Sequence, residues 1–161
     1  MNIKEFKQDF ENLAKKYKLP SSSELDQEFD IYYSYNNLEI NFTLRMVRRR
    51  ISEKITNYCN TIQGLIQPNP SSYVSLQETK FFNEKEVKEM IPLLNDTMAI
   101  LRHSFLLETE ASEEKDAVFI KETYDWWKKH KKEFVKIISR MKDSWEKEAS
   151  KVYKEDKHYF G

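Results

Sequence analysis

Few side chains in this sequence have the chemistry and spacing of a reactive centre. Three are histidines, His103, His130 and His158, the residue type that titrates near neutral pH and ligates metals. His130 falls in step with Trp127 and Phe134, on the apolar side of a three- and four-residue period. An imidazole there can serve as a base or ligand, but the simpler role is to pack its ring and bond a neighbour. Glu155-x-x-His158 has the carboxylate–histidine spacing of di-iron bundles. Such a centre needs a second motif and two more glutamates on facing helices, and the chain has no second Glu-x-x-His. Cys59 is the single cysteine, so neither an internal disulfide nor a zinc signature is available. A nucleophile elbow and an H-E-x-x-H motif are also missing. Gly64 and Gly161, the only glycines, lie too far apart for a phosphate-cradling loop. No catalytic residue, metal or cofactor is therefore expected, and the chain is read as non-enzymatic.

The charges say more by position than by sum. Twenty-seven bases cancel 27 acids, so no overall field draws the chain to nucleic acid. Locally they separate: residues 126–142 carry seven bases against Glu133, while 105–125 carry seven acids against Lys115 and Lys121. Arg45, Arg48 and Arg49, with Lys128, Lys129, Lys131 and Lys132, are the candidate nucleic-acid-binding residues, as clustered cations can hold phosphates. On a helical wheel these side chains spread around the polar side, which favours a solvated face over one phosphate-binding stripe.

The elements that must position these groups are helical. Ile3, Phe6, Phe10, Leu13, Ala14 and Tyr17 predict a first helix, stopped by Pro20. Ser21-x-x-Glu24 has capping-box form and predicts a short helix to Phe29. Ile31 to Asn37, with Tyr32, Tyr33 and Tyr35, reads as a connector and is the one stretch where a strand is conceivable. A second main helix is predicted from about Leu38 to Gln67, with Leu44, Val47, Ile51, Ile55, Tyr58, Ile62, Leu65 and Ile66 on its core side. Tyr73 to Phe82 should hold a helical turn. Asn83 and Glu86 then cap a third helix, about Glu84 to Glu110.

That third helix is apolar on two sides. Val87, Met90, Ile91, Leu94, Met98, Leu101 and Phe105 form one stripe, taken as core. Leu93, Ile100 and Leu107 form a second ridge at heptad spacing, taken as a partner face. Pro92, two turns in, predicts a local kink. Ser112 and the acids behind it start a last helix that meets no Gly or Pro before Gly161. At 1.5 Å per residue it would reach roughly 60 Å, so its end overhangs its neighbours or bends.

The expected fold is all-α: one domain, residues 1–161, an antiparallel bundle of four main helices with one or two short ones. The longest apolar run, Met90 to Leu94 across Pro92, falls far short of the roughly 20 residues a membrane helix needs. A lone cysteine and a charged N-terminal stretch suit a reducing, cytoplasmic setting. Tryptophan and tyrosine are favoured at interfaces; Trp126 lies at the edge of the apolar stripe of the last helix and Trp145 on that stripe at its overhanging end. Leu93, Ile100, Leu107, Trp126 and Trp145 are thus the candidate contact residues. The expected function is a non-catalytic interaction or scaffold protein, self-associating or bound to a protein partner.

Two resemblances accompany this reading. Leu19-Pro20, Leu25-Asp26-Gln27-Glu28-Phe29, Arg45-Met-Val-Arg48-Arg49 and Ile51-Ser-Glu53-Lys54-Ile55 resemble small all-helical archaeal proteins of unassigned function, a likeness that implies no activity. Phe42-Thr-Leu44-Arg45, Arg49, Lys54-Ile55 and Tyr58 resemble the helical domain of GINS replication-scaffold subunits. The small β-domain of that family has no counterpart in residues 113–160, which read as helix.

Overall fold

A computed structural model describes residues 3–33, 42–110 and 112–155, with side chains given to residue 151. The described chain is all-helical, without strands. Its elements are α1 (Ile3–Tyr17), α2 (Ser22–Phe29), α3 (Thr43–Ile66), α4 (Tyr73–Thr79), α5 (Glu84–Thr109) and α6 (Glu113–Glu155).

Local chemistry sets the ends. α1 stops before Pro20: Lys18 turns left-handed at φ 55°, and Leu19 N–H reaches back to the Ala14 carbonyl at 2.9 Å, a helix-ending bond of Schellman type. Ser21 and Glu24 form the expected capping box, and Asp30 closes α2 in the left-handed region at φ 51°. Asn83 and Glu86 form the second capping box, ahead of α5. Ser112 accepts from Lys115 N–H at the head of α6. Ile31–Tyr33 is a single 3-10 turn; the rest of that connector, with Tyr35, and the predicted start of the second helix at Leu38 lie outside the described residues.

α3 is the axis of the core. It buries Leu44, Val47, Ile51, Ile55, Ile62 and Leu65 along the predicted stripe, and both α5 and α6 pack chiefly on it. α1 supplies Phe6, Phe10 and Ala14 to this core, and α2 adds Leu25 and Phe29. α5 and α6 meet each other only sparsely. α5 passes uninterrupted through Pro92, whose exposed position lets the ring face water.

α6 has 43 residues, about 65 Å at the helical rise. The 24 residues of α3 and 26 of α5 span about 36 and 39 Å by the same rise. The far half of α6 is covered on one side: Trp145 meets Phe81 edge-on, with ring centroids 5.3 Å apart, and its indole N–H donates to Glu78 at 3.0 Å.

Candidate interaction surfaces

A buried ionic cluster fixes how α3, α5 and α6 sit against one another. Arg48 of α3 is fully buried, although sequence reading placed it on a solvated basic face. Its Nε donates to Asp116 Oδ1 of α6 at 2.6 Å. Nη1 donates to the carbonyl and hydroxyl oxygens of Ser104 on α5, both at 2.8 Å, and Nη2 to Glu108 at 2.7 Å. Glu108 also takes a two-pronged contact from Arg49 at 2.9 and 2.6 Å. The planar guanidinium fork suits such multiple contacts, which a lysine could not reproduce. Hydrogen bonds from Arg49, and then from Arg48, outweigh a burial cost and hold the Glu108 carboxyl down to about 2. Burial pushes the Asp116 carboxyl above its usual range, against the pull of Arg48.

This cluster decides which side of α5 faces inward, and it turns that side partway from the expected stripe towards the expected partner ridge. The core side carries Met90, Leu93, Thr97, Ser104 and Leu107, all buried. Leu93 and Leu107, expected to meet a partner, are core residues. Thr97 and Ser104 interrupt that ridge with polar atoms, so hydrophobicity alone ranked it second. Both are satisfied in place: Thr97 Oγ1 donates to the Leu94 carbonyl at 2.8 Å, and Ser104 receives Arg48. The stripe expected to be core is split: Met90 is buried and Val87, Leu94 and Leu101 pack half-buried against the core, Met98 is half-buried, and Ile91 and Phe105 are 40% and 70% exposed.

The other candidate contact residues divide. Ile100 and Trp126, both half-buried, line a cleft between α5 and α6. The Trp126 indole N–H donates to Asp96 at 3.2 Å, and its ring stacks on His130 at 5.1 Å. Trp145 is half-buried, with Phe81 and Glu78 as its partners.

Among the basic candidates, most are already engaged. Arg48 is buried and Arg49 is bound to Glu108. Arg45 lies over the Phe42 ring at 4.9 Å; its Nε is the one buried side-chain polar atom without a hydrogen bond among the described residues. Lys131 and Lys128 reach the buried Glu28 carboxylate at 2.6 and 3.7 Å, and Trp127 Nε1 donates to the same group at 2.8 Å. Burial raises the Glu28 carboxyl, but the bonds from Lys131 and Trp127 outweigh it and hold the group below its ordinary value. Lys129 and Lys132 are exposed and make no ion pair among the described residues.

His130, half-buried against Trp126, has its Nδ1 3.5 Å from Glu133 one turn on along α6. Cys59 is buried, with its sulfur 3.5 Å from Met98 Sδ, and fills space in the core. His158 lies outside the described residues. Among the described residues no group of three or more His, Cys, Asp or Glu could hold a metal ion, and no helix is long and apolar enough to cross a membrane. No known protein family, curated protein or solved structure matches the chain.

Proposed function

We propose that this chain is a non-catalytic interaction or scaffold protein that self-associates through the open side of α5. The supporting observation is the spacing of that side. Ile91, Leu94, Met98, Leu101 and Phe105 alternate steps of three and four residues, the seam of a coiled coil; its two ends are exposed, while Leu94 and Leu101 also pack on the core and Met98 also meets Cys59. The seam is also matched to itself. A two-fold axis at Met98 sets Ile91 of one copy against Phe105 of the other, and Leu94 against Leu101. That reciprocity is what a symmetric dimer contact requires. One helix face is small beside the 1,200–2,000 Å² a stable interface usually buries, so association depends on concentration.

Sedimentation velocity across a concentration series tests this reading, with Ile91→Glu/Phe105→Glu as the variant. The wild type should shift towards dimer as concentration rises. The variant should remain monomeric with an unchanged helical circular-dichroism spectrum. A wild type that is monomeric at every concentration, or a variant that still dimerises, removes the proposal.

A further inference from the structure

We propose that the groove between α5 and α6 is a second docking site, built for a basic amphipathic helix from a partner protein. It lies on the far side of α5 from the self-association seam and does not depend on it. α3 backs both helices, and because α5 and α6 touch only sparsely, their facing sides leave a trough. Two clefts, of about 300 and 290 Å³, lie end to end along it. Between the Glu86–Arg140 ion pair and the His103–Phe119 edge contact, which cross it at either end, it runs about 26 Å at 1.5 Å per residue, the length of a helix of nearly five turns.

The floor is apolar: Ile137 with the edges of core residues Met90 and Leu93 in one cleft, Ile100 and Trp126 over the buried Phe119 in the other. The Trp126–Asp96 bridge crosses between them, so a guest must present a small residue at its midpoint. Such a floor reads the stripe of an amphipathic helix.

The lining charges select the guest. Glu86, Glu89, Asp96, Glu122 and Glu133 face Lys136 and Arg140, an excess of three carboxylates. Arg140 is already bonded to Glu86 and lies over Phe82, Lys85 lies 3.9 Å from Glu89 and His130 3.5 Å from Glu133, and Lys136 is the lining cation without an ion pair among the described residues. Complementary potential favours Lys and Arg on the guest and disfavours acids.

The experiment uses the full chain and a synthetic amphipathic peptide of about 18 residues, matched to the trough, with a leucine stripe and lysines elsewhere. Fluorescence anisotropy should show saturable 1:1 binding that weakens with salt. Glu89→Lys/Glu122→Lys should weaken it about tenfold or more. Glu53→Lys/Glu114→Lys, an equal charge change away from the trough, should stay within about twofold of wild type. Absence of saturable binding overturns the proposal. So does equal binding of the same peptide with glutamates for lysines, or an equal loss in the Glu53/Glu114 control. A peptide that binds only by dissociating dimers assigns the trough to a second copy and overturns it as well. Ile91→Glu/Phe105→Glu should bind the peptide as wild type does, which separates failure of this site from failure of the α5 seam.

Discussion

Replacing Arg48 with methionine gives the sharpest test of the packing argument. The substitution keeps much of the apolar stem but removes four hydrogen bonds, to Asp116, Glu108 and two oxygens of Ser104. The losses are unequal. Glu108 is about a third exposed and keeps Arg49, so it contributes little to the cost. The Asp116 side chain is only 5% exposed, and water cannot take the place of the guanidinium. Breaking a buried pair from one side costs about 3–5 kcal/mol. With a urea m-value of about 2 kcal/mol/M, the unfolding midpoint falls by about 1.5–2.5 M. The double variant Arg48→Met/Asp116→Leu removes both charges and should recover to within about 1 kcal/mol of wild type, a coupling of at least about 2 kcal/mol. The single-variant deficit should also shrink as pH falls from 7 towards about 5. Asp116 already sits above its usual range, and without Arg48 the folded state takes up its proton more readily than the unfolded chain does. The assay is urea unfolding followed by circular dichroism at both pH values. A midpoint loss below about 0.5 M for Arg48→Met, or a double variant as unstable as the two single variants summed, would refute the reasoning.

Two further outcomes follow from single positions. Glu108 is held well below the ordinary carboxylate value, so its pairs stabilise the fold fully above about pH 5 and are lost as pH falls from about 4.5 towards 2. Glu108→Gln should flatten that part of a plot of urea midpoint against pH, and a curve parallel to wild type would assign the acid sensitivity elsewhere. Gly64 lies inside α3, and a methyl group added there meets no atom within 4 Å. Gly64→Ala should therefore stabilise by about 0.5–1 kcal/mol, raising Tm by roughly 2–4 °C in a domain of this size, and calorimetry showing a lower Tm would contradict the geometry.

Helix identity was legible because it rests on local chemistry. Ser21 with Glu24 and Asn83 with Glu86 announced their capping boxes, and six apolar residues of α3 announced its buried side. Orientation was harder where polar atoms enter the core. Thr97 and Ser104 made the inward ridge of α5 look like the weaker one, and their satisfaction depends on a backbone carbonyl and on Arg48, which periodicity does not register. A signal was present all the same. Arg48 lies 40° from Leu44 at 100° per residue, inside the stripe of α3, and Asp116 heads the apolar period of α6 through Ile120, Thr123 and Trp127. Arg48, Ser104 and Asp116, three polar residues on three apolar stripes, are the mark of a shared buried network. The trough was not legible at all, since it arises from the separation of α5 and α6 and from no residue's type.

The reach of α6 has a consequence for the order in which a new chain can close. Glu113 takes its bonds from Lys16 and Tyr17, and Trp127 and Lys131 donate to Glu28, partners 96 to 103 residues apart. At 5–20 residues per second, a ribosome takes roughly 5–20 s to cover that distance. During that interval α1 and α2 can lean only on each other and on α3, and Phe29 lacks the Trp127 ring that later lies 5.8 Å away. Phe29 is thus sealed only once α6 has been made, and until then α1 and α2 stay open on the side that α6 later covers.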